Sequence, residues 1–191
     1  LAHGLEAIAD RDQVARFEAA GHDVLHSPAA GVLSRDQLFS YLHADGVGSR
    51  VSAIVAGGED LPADVLEGLP NLRIIARWGI GYDMVDLAAA SARGVYVTNT
   101  PGLLSESVAD LAFGMILTLS RRLHVADRQV RSGSWETVYG VYTWRKSLGI
   151  LGFGGIGQAL ARRARGFDMI VTACDPYASE AAADGLGVRL V

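Results

Sequence analysis

Four glycines fall within six residues, at 152, 154, 155 and 157, in the run SLGILGFGGIGQALARRARGFDMIVTACDPY over 147–177. Each glycine loses more backbone freedom on folding than any other residue and weakens a helix or strand that contains it. A cluster this dense therefore answers a need for a conformation or a close approach that side chains forbid. The flanks define the need. SLGILGF reads as an apolar strand, GGIGQALARRARGF as a helix, and DMIVTACD as a second strand. Strand, glycine turn, helix and strand in that order make a parallel βαβ unit with its turn at the carboxyl end of the first strand.

Gly152, Gly154 and Gly157 match G-x-G-x-x-G, and the context makes the match specific. Gly152 permits the tight turn, Gly154 leaves room for a pyrophosphate, and Gly157 lets the helix approach the sheet. The amides around Gly155 and Ile156 lie where a helix N-terminus attracts phosphate. Asp175, 18 residues after Gly157, follows the second strand and begins a turn with Pro176. A carboxylate there accepts from the ribose hydroxyls of an adenosine and repels a 2′-phosphate, which favours NAD over NADP.

Upstream, the chain alternates helices and strands with short turns, the pattern of a mostly parallel sheet covered by helices. Residues 6–20 read as an amphipathic helix, HDVLH over 22–26 as a short strand, 35–46 as a helix ended by glycine, and VSAIVAG and LRIIAR as buried strands. DLAAASARG is a helix capped by Asp86, and VYVTNTPG is a strand ending in a Pro-Gly turn. Residues 106–131 hold one long helix whose apolar middle predicts burial between layers. Asp83 is expected to fix the turn before Asp86, and Asn99 and Thr100 to shape the loop that follows their strand.

The chain carries 17 Lys plus Arg against 21 Asp plus Glu, a net charge of −4, which gives no support to a nucleic-acid surface. Cys174 is the sole cysteine, so an intrachain disulfide and a cysteine-rich metal centre are excluded. The five histidines show no metal-ligand spacing, and no metal is expected. No apolar run reaches the ~18 residues of a membrane helix, and composition points to the cytoplasm.

Together, ARWGIGYDMVDLAAASARGVYVTNTPG and the glycine segment resemble the D-isomer-specific 2-hydroxyacid dehydrogenase family, collinearly over most of 47–191. The phosphoglycerate dehydrogenases belong to this comparison. The resemblance implies an α/β protein with a flavodoxin-like substrate domain over 1–103. Residues 104–191 would then hold a long connecting helix and the first part of a Rossmann-type NAD-binding domain. It implies a homodimer that binds no nucleic acid or membrane, takes a small 2-oxo or 2-hydroxy acid, and transfers hydride to or from NAD. In WGIGYD the amides of Ile80 and Gly81 would hold the substrate carboxylate, with Trp78 as a wall beside the substrate side chain.

Two positions depart from the family pattern: Gly155, where arginine is frequent, and Asp110, where glutamate is usual. The family's catalytic arginine, glutamate and histidine would lie beyond Val191, so no residue here is assigned a catalytic role. The chain thus reads as truncated at both ends, its first strand included, and the 191 residues alone are expected to give no turnover of 2-oxo acids with NADH. Other functions of the same fold are an NAD(H)-sensing transcriptional corepressor and a formate or phosphite dehydrogenase relative.

Overall fold

The computed structural model describes residues 11–26 and 32–191, in two compact units, Leu1–Pro101 and Gly102–Val191. The opening part of the helix expected over 6–20, and the expectation about a missing first strand, lie outside the described residues.

In the first unit, α1 spans Arg11–Ala19, α2 Arg35–His43 and α3 Val47–Arg50. A capping box starts α2, in which Gln37 N donates to Ser34 Oγ and Ser34 N donates to the Gln37 side chain. The helix expected to run to Gly46 stops at His43 and tightens into a 3-10 turn over Ala44–Gly46, where Gly46 takes φ 71°. The strand expected at HDVLH does not form: residues 22–25 are irregular and only His26 makes a bridge.

Strands β1 (Ala53–Ala56), β2 (Ile74–Arg77) and β3 (Tyr96–Thr98) are all parallel, in the order β1-β2-β3. Helix α4 (Ala63–Glu67) connects the first pair and α5 (Leu87–Ala92) the second. The register pairs Ala56 with Arg77 and Ala76 with Thr98, so the three carboxyl ends emerge side by side. Beneath them the β-branched and leucine side chains of Ile54, Leu61, Val65, Leu66 and Ile75 form a buried core. Asp86 caps α5 by accepting from Ala89 N at 2.9 Å. Asp83 takes no comparable role: the turn before Asp86 is closed by Val85 N donating to Tyr82 O at 3.0 Å, and no described residue hydrogen-bonds the Asp83 carboxylate.

In the second unit the long helix is two helices, α6 (Ser105–Ser120) and α7 (Leu123–Arg131), broken where Arg122 turns left-handed at φ 53°. Both belong to this unit. Only Ala109 and Phe113 of α6 are fully buried, and Leu111, Met115 and Leu119 lie on an exposed face, contrary to the burial expected of its apolar middle. Strands β4 (Ser147–Leu151), β5 (Ile170–Cys174) and β6 (Arg189–Leu190) form a second parallel sheet in the order β4-β5-β6. Helices α8 (Gly155–Arg165) and α9 (Glu180–Leu186) make the crossovers, so the unit contains two βαβ steps where the sequence indicated one.

An ionic clamp sets α8 against α6. Arg163 donates through Nε to Asp110 at 2.6 Å, through Nη1 to the Glu106 carboxylate at 2.9 Å, and through Nη2 to the Glu106 carbonyl at 3.0 Å. Arg162 pairs with the other Glu106 oxygen. Hydrogen bonds from Arg163 first, then Arg162, hold the Glu106 carboxyl below its ordinary value of 4.5. A carboxylate whose folded pKa is depressed contributes stability above the unfolded pKa and loses it as pH falls through the folded one. Glu106→Gln should therefore lower the thermal midpoint at neutral pH, with the gap to wild type closing as pH is taken below ~4. Circular-dichroism melts across pH 7 to about 3 would check this. A gap independent of pH would show that the charge of Glu106 is immaterial.

Candidate functional site

Two loops, one in each unit, leave consecutive backbone donors unused at the carboxyl end of a parallel strand. In the second unit the loop is the glycine turn between β4 and α8. Gly152 adopts φ +90°, a conformation that L side chains rarely reach, and its N–H donates to Cys174 O at 2.9 Å, tying the turn to the end of β5. A β-carbon at Gly157 would lie 2.2 Å from the carbonyl oxygen of Gly152, so only glycine lets the first turn of α8 sit this close. At Gly154 a β-carbon would meet nothing within 4 Å. Its neighbour Gly155 faces α6 instead, where a β-carbon would come within 2.8 Å of Ser105 Oγ.

The N–H groups of Gly154, Gly155 and Ile156 find no acceptor among the described residues. They are orphan donors at the start of an eleven-residue helix, where the dipole favours an anion. Asp175 closes the other side. Its Oδ2 accepts from Phe153 N at 2.6 Å and its Oδ1 from Tyr177 N at 2.8 Å. These two bonds, Phe153's the larger influence, draw its pKa below the ordinary carboxylate value. Each oxygen retains a lone pair. Pro176 is exposed beside it and contributes the fixed turn.

The loop of the first unit follows β2. Arg77 Nη1 donates to Ala56 O at 3.1 Å and to Trp78 O at 3.0 Å, so its guanidinium lies under the start of the loop without an acidic partner among the described residues. Gly79 takes φ +146°, donates to Thr100 Oγ1 at 3.2 Å and accepts from Thr100 N at 3.0 Å. Asn99 Nδ2 donates to Ile80 O at 2.9 Å. The N–H groups of Ile80 and Gly81 have no acceptor among the described residues. Trp78 stands 46% exposed, a wall beside the loop rather than a core residue.

The sequence located both loops but not what braces them. Asn99 and Thr100 reach back from the end of β3 to the end of β2, and the TNTPG segment directly after a strand was the available signal. The link from Asp175 to Phe153 N was also not foreseen. His124 is exposed on α7 and belongs to neither loop. Among the described residues no group of acids, histidines and cysteine could hold a metal ion, and no helix is long and apolar enough to cross a membrane.

Parallel sheets with helical crossovers and a glycine turn at a helix N-terminus define an α/β protein, and the comparisons make the class specific. Residues 9–187 match the family model for the D-isomer specific 2-hydroxyacid dehydrogenase, catalytic domain, and the chain belongs to that family. A glyoxylate reductase of Korarchaeum cryptofilum is 42% identical over 139 residues, 70% of this chain and 42% of that protein. A D-3-phosphoglycerate dehydrogenase of Methanocaldococcus jannaschii is 36% identical over 140 residues, 72% of this chain and 27% of its own. The apo-structure of D-lactate dehydrogenase from Escherichia coli superposes with a TM-score of 0.76 at 31% identity, covering 95% of this chain and 56% of that one. The chain thus spans less than half the length of these two curated relatives.

Two of the motif glycines should separate on substitution. Gly157→Ala forces the turn and α8 apart and should cost about 1–3 kcal/mol. Gly154→Ala, whose extended backbone and open surroundings accept a methyl group, should stay within about 0.5 kcal/mol of wild type. Urea denaturation of both variants checks this, and equal losses would contradict it.

Proposed function

We propose that the chain forms the substrate-side unit and the first part of the cofactor unit of an NAD-dependent oxidoreductase acting on a D-2-hydroxy acid and 2-oxo acid pair. The observation that carries the reading is the glycine turn. Its orphan amides at Gly154, Gly155 and Ile156, the open face at Gly154 and the ionised Asp175 all fit a dinucleotide. The amides and the positive end of α8 suit a pyrophosphate. Asp175 suits the adenosine ribose, and its full charge disfavours a 2′-phosphate. When bound, the nicotinamide supplies the hydride acceptor or donor for the substrate carbon.

The substrate is assigned to the other loop. Ile80 and Gly81 offer two adjacent N–H groups to a carboxylate, and the guanidinium of Arg77, which has no acidic partner among the described residues, adds positive potential. Trp78 bounds the space for the substrate side chain and so bears on the choice of acid. Neither loop presents a histidine, and no residue of either loop is assigned to proton transfer at the substrate oxygen. The glyoxylate reductase and phosphoglycerate dehydrogenase relatives frame the substrate class as small 2-oxo acids with a carboxylate, and glyoxylate is the first to assay. The exposed stripe of Leu111, Met115 and Leu119 on α6 supports a homodimer, and the single exposed Cys174 fits the reducing cytoplasm.

For the full-length polypeptide, NADH should bind more tightly than NADPH, and Asp175→Ser should narrow the difference by removing the repelling charge. Fluorescence titration with both cofactors measures this. Equal or tighter NADPH binding by the wild type would refute the assignment of Asp175.

A further inference from the structure

In a trans peptide the carbonyl and the following N–H point in opposite directions, so fixing one aims the other. Every peptide bond of the described structure is trans. Two consecutive peptides of the loop after β2 are fixed in this way from the end of β3. Thr100 N donates to Gly79 O at 3.0 Å, which aims the Ile80 N–H away from β3. Asn99 Nδ2 donates to Ile80 O at 2.9 Å, which aims the Gly81 N–H the same way. Both N–H groups lack an acceptor among the described residues. The first of these bonds is backbone to backbone and tolerates any side chain; the second, among the described residues, depends on the Asn99 amide.

We infer that Asn99 is a positioning residue for the reaction: by holding the Ile80 carbonyl it keeps the Gly81 N–H presented to the substrate carboxylate, without touching substrate itself. This rests on the assignment of the carboxylate to Ile80 and Gly81. The geometry also gives the reason for a side-chain brace. Gly81 is exposed and has no side chain to restrict its backbone, and residues 79–81 lie outside any strand, so the Ile80–Gly81 peptide has wide freedom on its carboxyl side and no ladder partner to orient it. Without Asn99 that peptide can rotate and offer a carbonyl to an anion, which repels it. Thr100 also holds the peptide before this pair, its Oγ1 accepting from Gly79 N at 3.2 Å, whereas among the described residues Ile80 O has the one donor from Asn99.

The test uses the full-length polypeptide and the isosteric change Asn99→Asp, which replaces the donor with an ionised acceptor facing the Ile80 carbonyl. With glyoxylate and NADH, KM for glyoxylate should rise about ten- to a hundredfold, the worth of one charge-assisted hydrogen bond. The NADH dissociation constant, measured by fluorescence, should stay within about twofold, because only ground-state carboxylate binding is lost. Asn99→Gln, which restores a donor on a longer stem, should recover part of the loss. A glyoxylate KM within about twofold of wild type in Asn99→Asp would overturn the inference while leaving the functional reading intact. So would a parallel loss of NADH affinity, or no recovery in Asn99→Gln, since these mark a general structural role. If the wild type turns over neither glyoxylate nor any other 2-oxo acid of a panel, the functional reading itself falls and takes the inference with it. Should Asn99→Asp fail to fold, Asn99→Ala removes the donor without adding charge and is read by the same criteria.

Discussion

The contact between the α-carbon of Gly157 and the carbonyl of Gly152 governs the second unit. A β-carbon there would stand 2.2 Å from that oxygen, so the absence of a side chain fixes how near α8 can come to the end of β4. With the helix seated, Phe153 is driven into the core and its N–H meets the Asp175 carboxylate. Gly152 N meets Cys174 O in the same step. The turn is thus tied to the ends of β4 and β5 at once, and the N–H groups left over are those at the outer face of the helix start. Arg163 then holds the far side of α8 to α6 through both Glu106 and Asp110. Asp110 keeps this ion pair, so the shorter acid at a position where glutamate is usual has not lost its partner.

The first unit solves a similar problem without a helix. After β2 the chain has no long helix to align orphan amides, and the peptide planes are set one by one from outside. Arg77 holds the Trp78 carbonyl, Thr100 that of Gly79 and Asn99 that of Ile80. The last two of these carbonyls, satisfied below the loop, commit the N–H groups of Ile80 and Gly81 above it, while the Gly79 N–H is itself taken up by Thr100 Oγ1. Charge follows the same division: the cation of Arg77 lies beneath the loop, where its field favours an anion above, while the ionised Asp175 lies beside a turn whose amides are themselves electropositive.

What the sequence revealed depended on whether a feature was enforced locally. The glycine spacing was legible because each glycine answers a local steric demand, and Asp86 because a cap acts within three residues. The break at Arg121 and Arg122 was not, since an arginine in the left-handed region carries no compositional mark of the kind glycine or asparagine supplies. Helix α9 was missed within an alanine-rich stretch without periodic large apolar residues, although Ser179 accepts from Ala182 N as its cap and Gly187 ends it at φ 66°. The HDVLH segment has strand-forming residues but makes no ladder among the described residues, which local propensity cannot report. An apolar helix middle predicts that something covers it, not that the cover lies within the same unit. The Asn99 brace spans 19 residues between strand ends, and such a contact exists only once parallel register is set.

Gly155 shows how a departure from a family pattern is resolved by packing. Where arginine is frequent in the family, a positive side chain can stand near the phosphates; here a β-carbon would come within 2.8 Å of Ser105 Oγ, the first residue of α6. The glycine is therefore coupled to a residue 50 positions earlier in the sequence. The obstacle is the end of a short side chain that can rotate, so a larger residue at 155 requires Ser105 to swing aside or α6 to shift. A shift of α6 strains the Glu106 and Asp110 clamp on Arg163, which follows within one turn. Rotation of Ser105 is the cheaper response, and it leaves the backbone amides of the turn in place. The glycine at 155 thus gives up a side-chain cation while keeping the backbone donors, and the positive potential at this turn comes from its peptide groups and the dipole of α8.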